Sequence, residues 1–283
     1  MELALYRTLW GVTTPLSSIA PGLLETGYNG VEARVPLTAD GRRELRDTLE
    51  EFGLRYIATL FTGSDVVPDQ SETPEQHLRR FEERLDQAAD LPFDKINVLA
   101  GNDRWPLAEQ IRFFAALQRI AATRDIQCCF ETHRATSLYS PWRTLELLEE
   151  VPGLRFTLDL SHWVLVSERL LNAAEDDLSA FLACVDHIQA RIGTDQAPQV
   201  AHPAAPECRP WLDFYQSVWE TIWRRQQAEG CELSTLTTEF GVDGYLPHLP
   251  FTQVPVADLN EVNDWMACEE RRHFQQFQEQ NKG

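Results

Sequence analysis

Residues 95–133 read KINVLAGNDRWPLAEQIRFFAALQRIAATRDIQCCFETH, and this run decides the fold. Lys95–Ala100 and Gln127–Glu131 are short, apolar, β-rich stretches, and between them Leu107–Thr123 carries apolar residues at three-to-four spacing. Pro106 stands where that helix should start, because a first turn has no use for the N–H that proline lacks. Strand, helix, strand in so short a run is the unit of a parallel sheet, whose neighbouring strands need a crossover between them.

The alternation continues outward to both ends. Further strand candidates are Leu3–Trp10, Gly30–Arg34, Arg55–Phe61, Arg155–Leu160, His187–Ile192 and Ser234–Phe240. Further helical patterns include Pro74–Asp90, Trp142–Glu150, Asp177–Val185 and Trp211–Glu229. Gly27, Gly53 and Gly230 fall where helices should stop, Pro141 and Pro210 where they should begin. Eight strands alternating with helices over 283 residues predict an α/β (β/α)8 TIM barrel, with 1–283 as a single domain and 254–283 as a last helix and polar tail. A doubly wound open sheet uses the same units, but no G-x-G-x-x-G follows the first strand.

Composition narrows the function. The chain is 43% hydrophobic and 10% aromatic, enough for a large core and incompatible with disorder. A formal net charge of −19 repels phosphate backbones and anionic lipid, so neither nucleic acid nor a membrane surface is an expected partner. No apolar run reaches the ~20 residues of a membrane helix. Met1-Glu2-Leu3-Ala4 has no basic region or cleavage pattern of a signal peptide. Six scattered cysteines without a C-x-x-C read as reduced thiols, and the expected location is the cytoplasm. The eight tryptophans leave room for a homo-oligomer interface. Only Lys95 and Lys282 are lysines, one at a strand entrance and one in the tail, which excludes imine-forming aldolase chemistry.

In such a barrel the chemistry sits where the strands end. The last four strands deliver Glu131-Thr132-His133, Asp159-Leu160-Ser161-His162, Gln189-Ala190-Arg191 and Glu239-Phe240-Gly241. A single Glu or Asp at a strand end is ordinarily a solvated loop residue or a helix N-cap. Three carboxylates converging on one mouth repel each other unless protonated or neutralised by a cation. An all-oxygen set of Glu131, Asp159, the Gln189 carbonyl and Glu239 would favour Mg²⁺ or Mn²⁺, with cobalt or zinc as further options. Period-two geometry puts Glu131 and His133 on one face of their strand, and His187, Gln189 and Arg191 on one face of theirs. Trp10, Phe61, Trp105 and Trp163, at strand ends, are candidates for an apolar wall against a substrate or for core caps. Arg34, Arg104, Arg134 and Arg191 are candidates for binding a substrate carboxylate.

The segments FETH (130–133), LDLSHW (158–163), HIQARIG (187–193) and TTEFG (237–241) resemble the xylose isomerase-like TIM barrel superfamily, the sugar phosphate isomerase/epimerase group. The resemblance covers essentially the whole chain. It implies one divalent metal held by Glu131, Asp159, the Gln189 position and Glu239, with Glu131 and Glu239 as acid and base through a metal-bound enediolate. It further implies His162 and Arg191 as ligands of substrate oxygens, with His133 either in contact with substrate or supporting its neighbours. Related sequences read His-x-His-Ala-Arg where this one reads His187-Ile188-Gln189-Ala190-Arg191, which leaves His187 or Gln189 as third ligand. The implied activity is isomerisation or epimerisation of a small sugar, polyol or keto-acid. The alternative on the same barrel is a metal-dependent lyase or dehydratase, of the dehydroshikimate or keto-glycoside kind; a sugar-binding barrel without turnover is a further one. The phosphodiesterase branch needs extra histidines on earlier strands, whereas Phe61-Thr62-Gly63 and Gly101-Asn102-Asp103 contain none.

Overall fold

In the computed structural model, which describes residues 1–280, eight parallel strands close into a barrel in sequence order, β8 pairing back onto β1. The strands are β1 Glu2–Thr8, β2 Gly30–Arg34, β3 Arg55–Phe61, β4 Lys95–Leu99, β5 Cys128–Glu131, β6 Arg155–Leu158, β7 Val185–Ala190 and β8 Leu233–Thr238. The helices are α1 Leu16–Thr26, α2 Ala39–Phe52, α3 Pro74–Ala88, α4 Leu107–Ala122, α5 Pro141–Glu150, α6 Leu160–Ser167, α7 Ser179–Leu182, α8 Arg209–Ala228 and α9 Leu259–Gln280. None of the described helices is long and apolar enough to cross a membrane.

Local signals account for the boundaries. Thr73 and Gln76 form a reciprocal capping box at the start of α3, with Pro74 in the first turn. Gly53 closes α2 in the left-handed region at φ +63, where its N–H reaches back to the Leu49 and Glu50 carbonyls. The sixth strand stops at Leu158 rather than Leu160, because the Asp159 carboxylate accepts from the Ser161 N–H at 2.9 Å and starts α6. The helix read over Asp177–Val185 shrinks to the single turn of α7, and Val185 opens β7 instead. The seventh strand therefore runs Val185–Ala190, two residues earlier than its sequence pattern. The last helix begins at Leu259; Val254–Asp258 forms loop, including a bridge between His248 and Pro255.

The core is the shell between barrel and helices, holding Leu5, Val98, Phe130, Phe156 and Trp163 against Phe81, Phe114 and Trp219. Its cohesion is hydrophobic burial, about 25 cal/mol per Å² of apolar surface removed from water. The barrel interior is layered differently. Ala4, Tyr6 and Ile57 make a small apolar plug near the strand starts. Above it the inward side chains of successive strands are polar: Glu32, Thr59, Asn97, Glu131, His187, Gln189 and Thr237, all but Thr59 fully buried. Period-two alternation puts these side chains on the inner face, and the open end of the barrel lies directly above them.

Candidate active site

A cavity of about 1010 Å³ opens at the C-terminal ends of the strands, lined among others by Trp10, Glu32, Glu131, Arg191, Glu239 and Tyr245. Its floor is the polar layer. Asn97 bridges two carboxylates through one amide nitrogen, donating to Glu131 Oε2 at 2.6 Å and to Glu32 Oε1 at 2.9 Å. Gln189 does the same from β7, with Nε2 3.2 Å from Glu32 and 3.3 Å from Glu131. His187 Nε2 lies 3.1 Å from Glu32 Oε2, and its Nδ1 is 2.8 Å from the Thr235 hydroxyl.

The two glutamates are shifted in opposite directions. Burial alone would raise the Glu32 carboxyl, but hydrogen bonding and the charge interaction with His187 hold it below its ordinary range. Glu131 is pushed up to about 8, first by burial and then by the nearby Asp159 and Glu32. Glu239 rises well above its usual value, again chiefly through burial, with Arg191 opposing and the surrounding carboxylates adding to the lift.

Asp159 anchors the other half of the floor. Its Oδ2 receives the Arg191 Nη2 and lies 3.3 Å from His162 Nε2. Arg191 also donates to the Ser161 hydroxyl at 3.2 Å and stands 3.6 Å from Glu239 Oε2. Its guanidinium sits under two aromatic rings, 4.6 Å from the Tyr245 centroid and 5.7 Å from Trp10. Trp10 can lie there only because position 241 is glycine: a Cβ would fall 1.9 Å from the indole Cε3. The His133 and His162 rings stack with centroids 3.9 Å apart. Burial, with Arg191 and Arg134 nearby, pushes His133 down to about 3 and His162 well below its usual range, so both are neutral at pH 7.

The donor set fits a divalent cation. Arg191 compensates Asp159 and Glu239, while Glu32 and Glu131 are joined through Asn97 and Gln189, and Gln189 Oε1, Glu239 Oε2 and His162 Nδ1 are buried without a hydrogen-bond partner. Buried acceptors beside excess negative charge are what a hard cation satisfies. Among the described residues, Glu131, His133 and His162 have ligand atoms within 4.8 Å of one another, so two neutral imidazoles stand beside the oxygen donors.

Of the residues singled out from sequence, Trp10, Glu131, His133, Arg191 and Glu239 line the cavity together. Asp159 and His162 lie against Arg191. Gln189 sits between Glu32 and Glu131, and His187 sits on the far side of Glu32, with no share in the cavity wall. Phe61 reaches the cavity beneath Arg34, 4.3 Å from its guanidinium. Trp105 does not line it. Its ring packs against His77 at 4.8 Å and Phe113 at 5.1 Å, facing α3 and α4. Trp163 is a core residue whose indole N–H donates to the Leu138 carbonyl. Three contributors escaped the sequence reading: Glu32 as floor carboxylate, Asn97 as its bridge to Glu131, and Tyr245 over Arg191. The first two had a usable signal, a polar residue on the inner face of an otherwise apolar strand. Tyr245 had none, lying in an irregular loop.

Comparison with known proteins follows this geometry. The family described as xylose isomerase-like TIM barrel matches residues 23–203. No curated protein matches the sequence. Among solved structures, an L-ribulose 3-epimerase superposes with a TM-score of 0.67 at 11% identity, covering 98% of this chain and 96% of that one. The 3-keto-D-glucoside 4-epimerase of E. coli gives 0.64 at 13% identity, covering 96% and 100%. A probable 3-DHS dehydratase involved in petrobactin synthesis in Bacillus anthracis gives 0.61 at 14% identity, covering 95% and 99%. At these identities the likeness is one of fold.

Proposed function

Because the chain belongs to the family of xylose isomerase-like TIM barrels, we propose that it is a divalent-metal-dependent isomerase or epimerase of a small sugar or hydroxy-keto compound. The observation that carries this reading is the pair of buried oxygens without a hydrogen bond, Gln189 Oε1 and Glu239 Oε2, in a floor that already holds an excess of carboxylates. Glu131, Asp159, Gln189 and Glu239 would hold the cation, with His133 and His162 as the neighbouring nitrogen donors. Bound there, Mg²⁺ or Mn²⁺ supplies Lewis acidity that polarises a substrate carbonyl and acidifies the adjoining C–H.

The protein's own residues handle the proton. Glu131 and Glu239 rise from strands three apart around the mouth and both keep a proton more readily than an ordinary carboxyl. Glu131 accepts from Asn97 and Gln189, which favours its anion, whereas Glu239 Oε2 has no donor within hydrogen-bond distance and burial outweighs Arg191 at 3.6 Å, which favours its protonated form. We therefore assign Glu131 as the base and Glu239 as the acid on the other side of the substrate. Arg191, held in place by Asp159 and Ser161, is set to offset negative charge growing on a substrate oxygen. Of the two neutral imidazoles, His133 lines the cavity and is placed to meet a substrate hydroxyl, while His162 stays buried against Arg191.

The test is proton exchange. With Mn²⁺ and small ketoses or hydroxy-keto acids in D₂O, the protein should wash deuterium into the C–H beside the carbonyl, and Glu131→Gln should stop it. An unsaturated product without exchange would make it a lyase. No exchange and no product across the panel would count against the assignment.

A further inference from the structure

Three arginines line the cavity, and they are not equivalent. Arg34 pairs with Asp65 at 3.7 Å at the exposed rim. Arg191 is bound to Asp159 and lies near Glu239. Arg134, in the loop after β5, pairs with no carboxylate among the described residues. The chain carries 44 acidic residues against 25 Lys and Arg, and Asp65, Asp243 and Glu239 share the same cavity, so acceptors abound. Asp243 is engaged instead by the Trp10 indole N–H at 2.7 Å.

Arg134 is nevertheless held in place. Its Nη2 donates to the Tyr245 hydroxyl at 3.0 Å, and its guanidinium lies 5.4 Å from that ring. Tyr245 is itself fixed between Trp10, 5.0 Å away edge-on, and Arg191. A guanidinium kept in one orientation with Nε and Nη1 unengaged is a ready-made fork for a planar anion.

We propose that Arg134 binds a carboxylate of the substrate, so that the enzyme acts on a sugar acid or hydroxy-keto acid and not on a neutral sugar. This rests on the isomerase reading above and narrows its substrate class. The acid end lies against Arg134, while the hydroxy-ketone end lies over Glu131 and Glu239. A phosphate fits less well. Barrel phosphate sites use main-chain N–H groups in the turns after the seventh and eighth strands, and here those turns carry Asp195 and Asp243, which repel a dianion.

Isothermal titration of the Mn²⁺-loaded protein with three matched ketohexoses tests this. D-fructose, D-fructuronate and D-fructose 6-phosphate share one skeleton and end in a hydroxymethyl, a carboxylate and a phosphate. The acid should bind about tenfold or more tighter than the neutral sugar, as a charged hydrogen-bonded pair does. Arg134→Gln should erase that preference, and Arg134→Lys should keep part of it. Equal affinities, failure of all three to bind, a preference for the phosphate, or an acid preference that survives Arg134→Gln would each overturn the assignment. A parallel Mn²⁺ titration separates the two ideas. If Mn²⁺ does not bind, the isomerase reading fails; if it binds and the acid is not preferred, only the role of Arg134 fails.

Discussion

Gln189 presents its amide nitrogen to Glu131, 3.3 Å from Oε2, and this leaves its carbonyl oxygen buried with no hydrogen-bond partner. The orientation is imposed from outside. Two carboxyl groups, Glu32 and Glu131, face the amide, and Glu32, held ionised, can only accept. Flipping the amide would set an oxygen against the ionised Glu32. The floor of the barrel therefore fixes which atom of Gln189 is free to meet a cation.

The first prediction follows. Gln189→Leu removes that oxygen and should weaken Mn²⁺ binding at least about tenfold, whereas Gln189→His, which restores a donor atom, should recover much of the loss. Mn²⁺ titration followed by electron paramagnetic resonance reads both. An unchanged affinity in the leucine variant would remove Gln189 from the ligand set.

Asn97 is predicted to be structural as much as functional. Its one amide nitrogen serves both Glu32 and Glu131, and it is almost wholly buried. Asn97→Leu leaves two buried carboxyls short of a donor and should cost about 2–4 kcal/mol in urea unfolding without metal. Adding Glu32→Gln should return part of this. A leucine variant as stable as the parent would show that the bridge contributes nothing.

A pH effect is expected away from the cavity. His77 is fully buried, with Nδ1 2.9 Å from the Thr62 hydroxyl and Trp105 packed on its ring. Burial pushes it down to about 4, outweighing the opposite pull of Glu72 at 3.3 Å. The unfolded chain takes up a proton at this histidine below about pH 6.5 while the native state stays neutral to about pH 4, so stability falls as pH falls through that window. The native advantage over His77→Gln should narrow by about 2 kcal/mol between neutral pH and about pH 5. A gap that stays constant across this range would contradict the assignment.

The barrel was legible because its signals are local and repeat. The strands at Gly30–Arg34 and Arg55–Phe61 match their apolar runs residue for residue. One mismatch has its cause in a side chain that acts on the backbone. Asp159 reads as strand in the run Arg155–Leu160, yet its carboxylate caps a helix. The site was legible where strand ends carry acids in sequence, as at Glu131 and Glu239. It was not legible where partners meet from strands that are not neighbours, as Asn97 of β4 and Glu32 of β2 do, or where an irregular loop folds back, as at Tyr245. Trp105 illustrates the converse, since an aromatic at a strand end can turn to either side of the sheet and this one faces the helices.

A fourth prediction concerns stability with metal. If the cation relieves repulsion among the floor carboxylates, Mn²⁺ at about a hundredfold over its dissociation constant should add about 2.7 kcal/mol to unfolding. Glu239→Gln should abolish most of that gain while changing the apo protein little, since burial already keeps Glu239 largely protonated there. Thermal melts with and without Mn²⁺ decide it, and an equal gain in both proteins would speak against Glu239 as ligand.

The most direct measurement is anomalous diffraction from crystals grown with Mn²⁺. One peak should appear on the cavity floor, about 2.0–2.4 Å from oxygens of Glu131, Asp159, Gln189 and Glu239. A peak held by Glu131, His133 and His162 without Glu239, or no peak at all, would contradict the proposed centre.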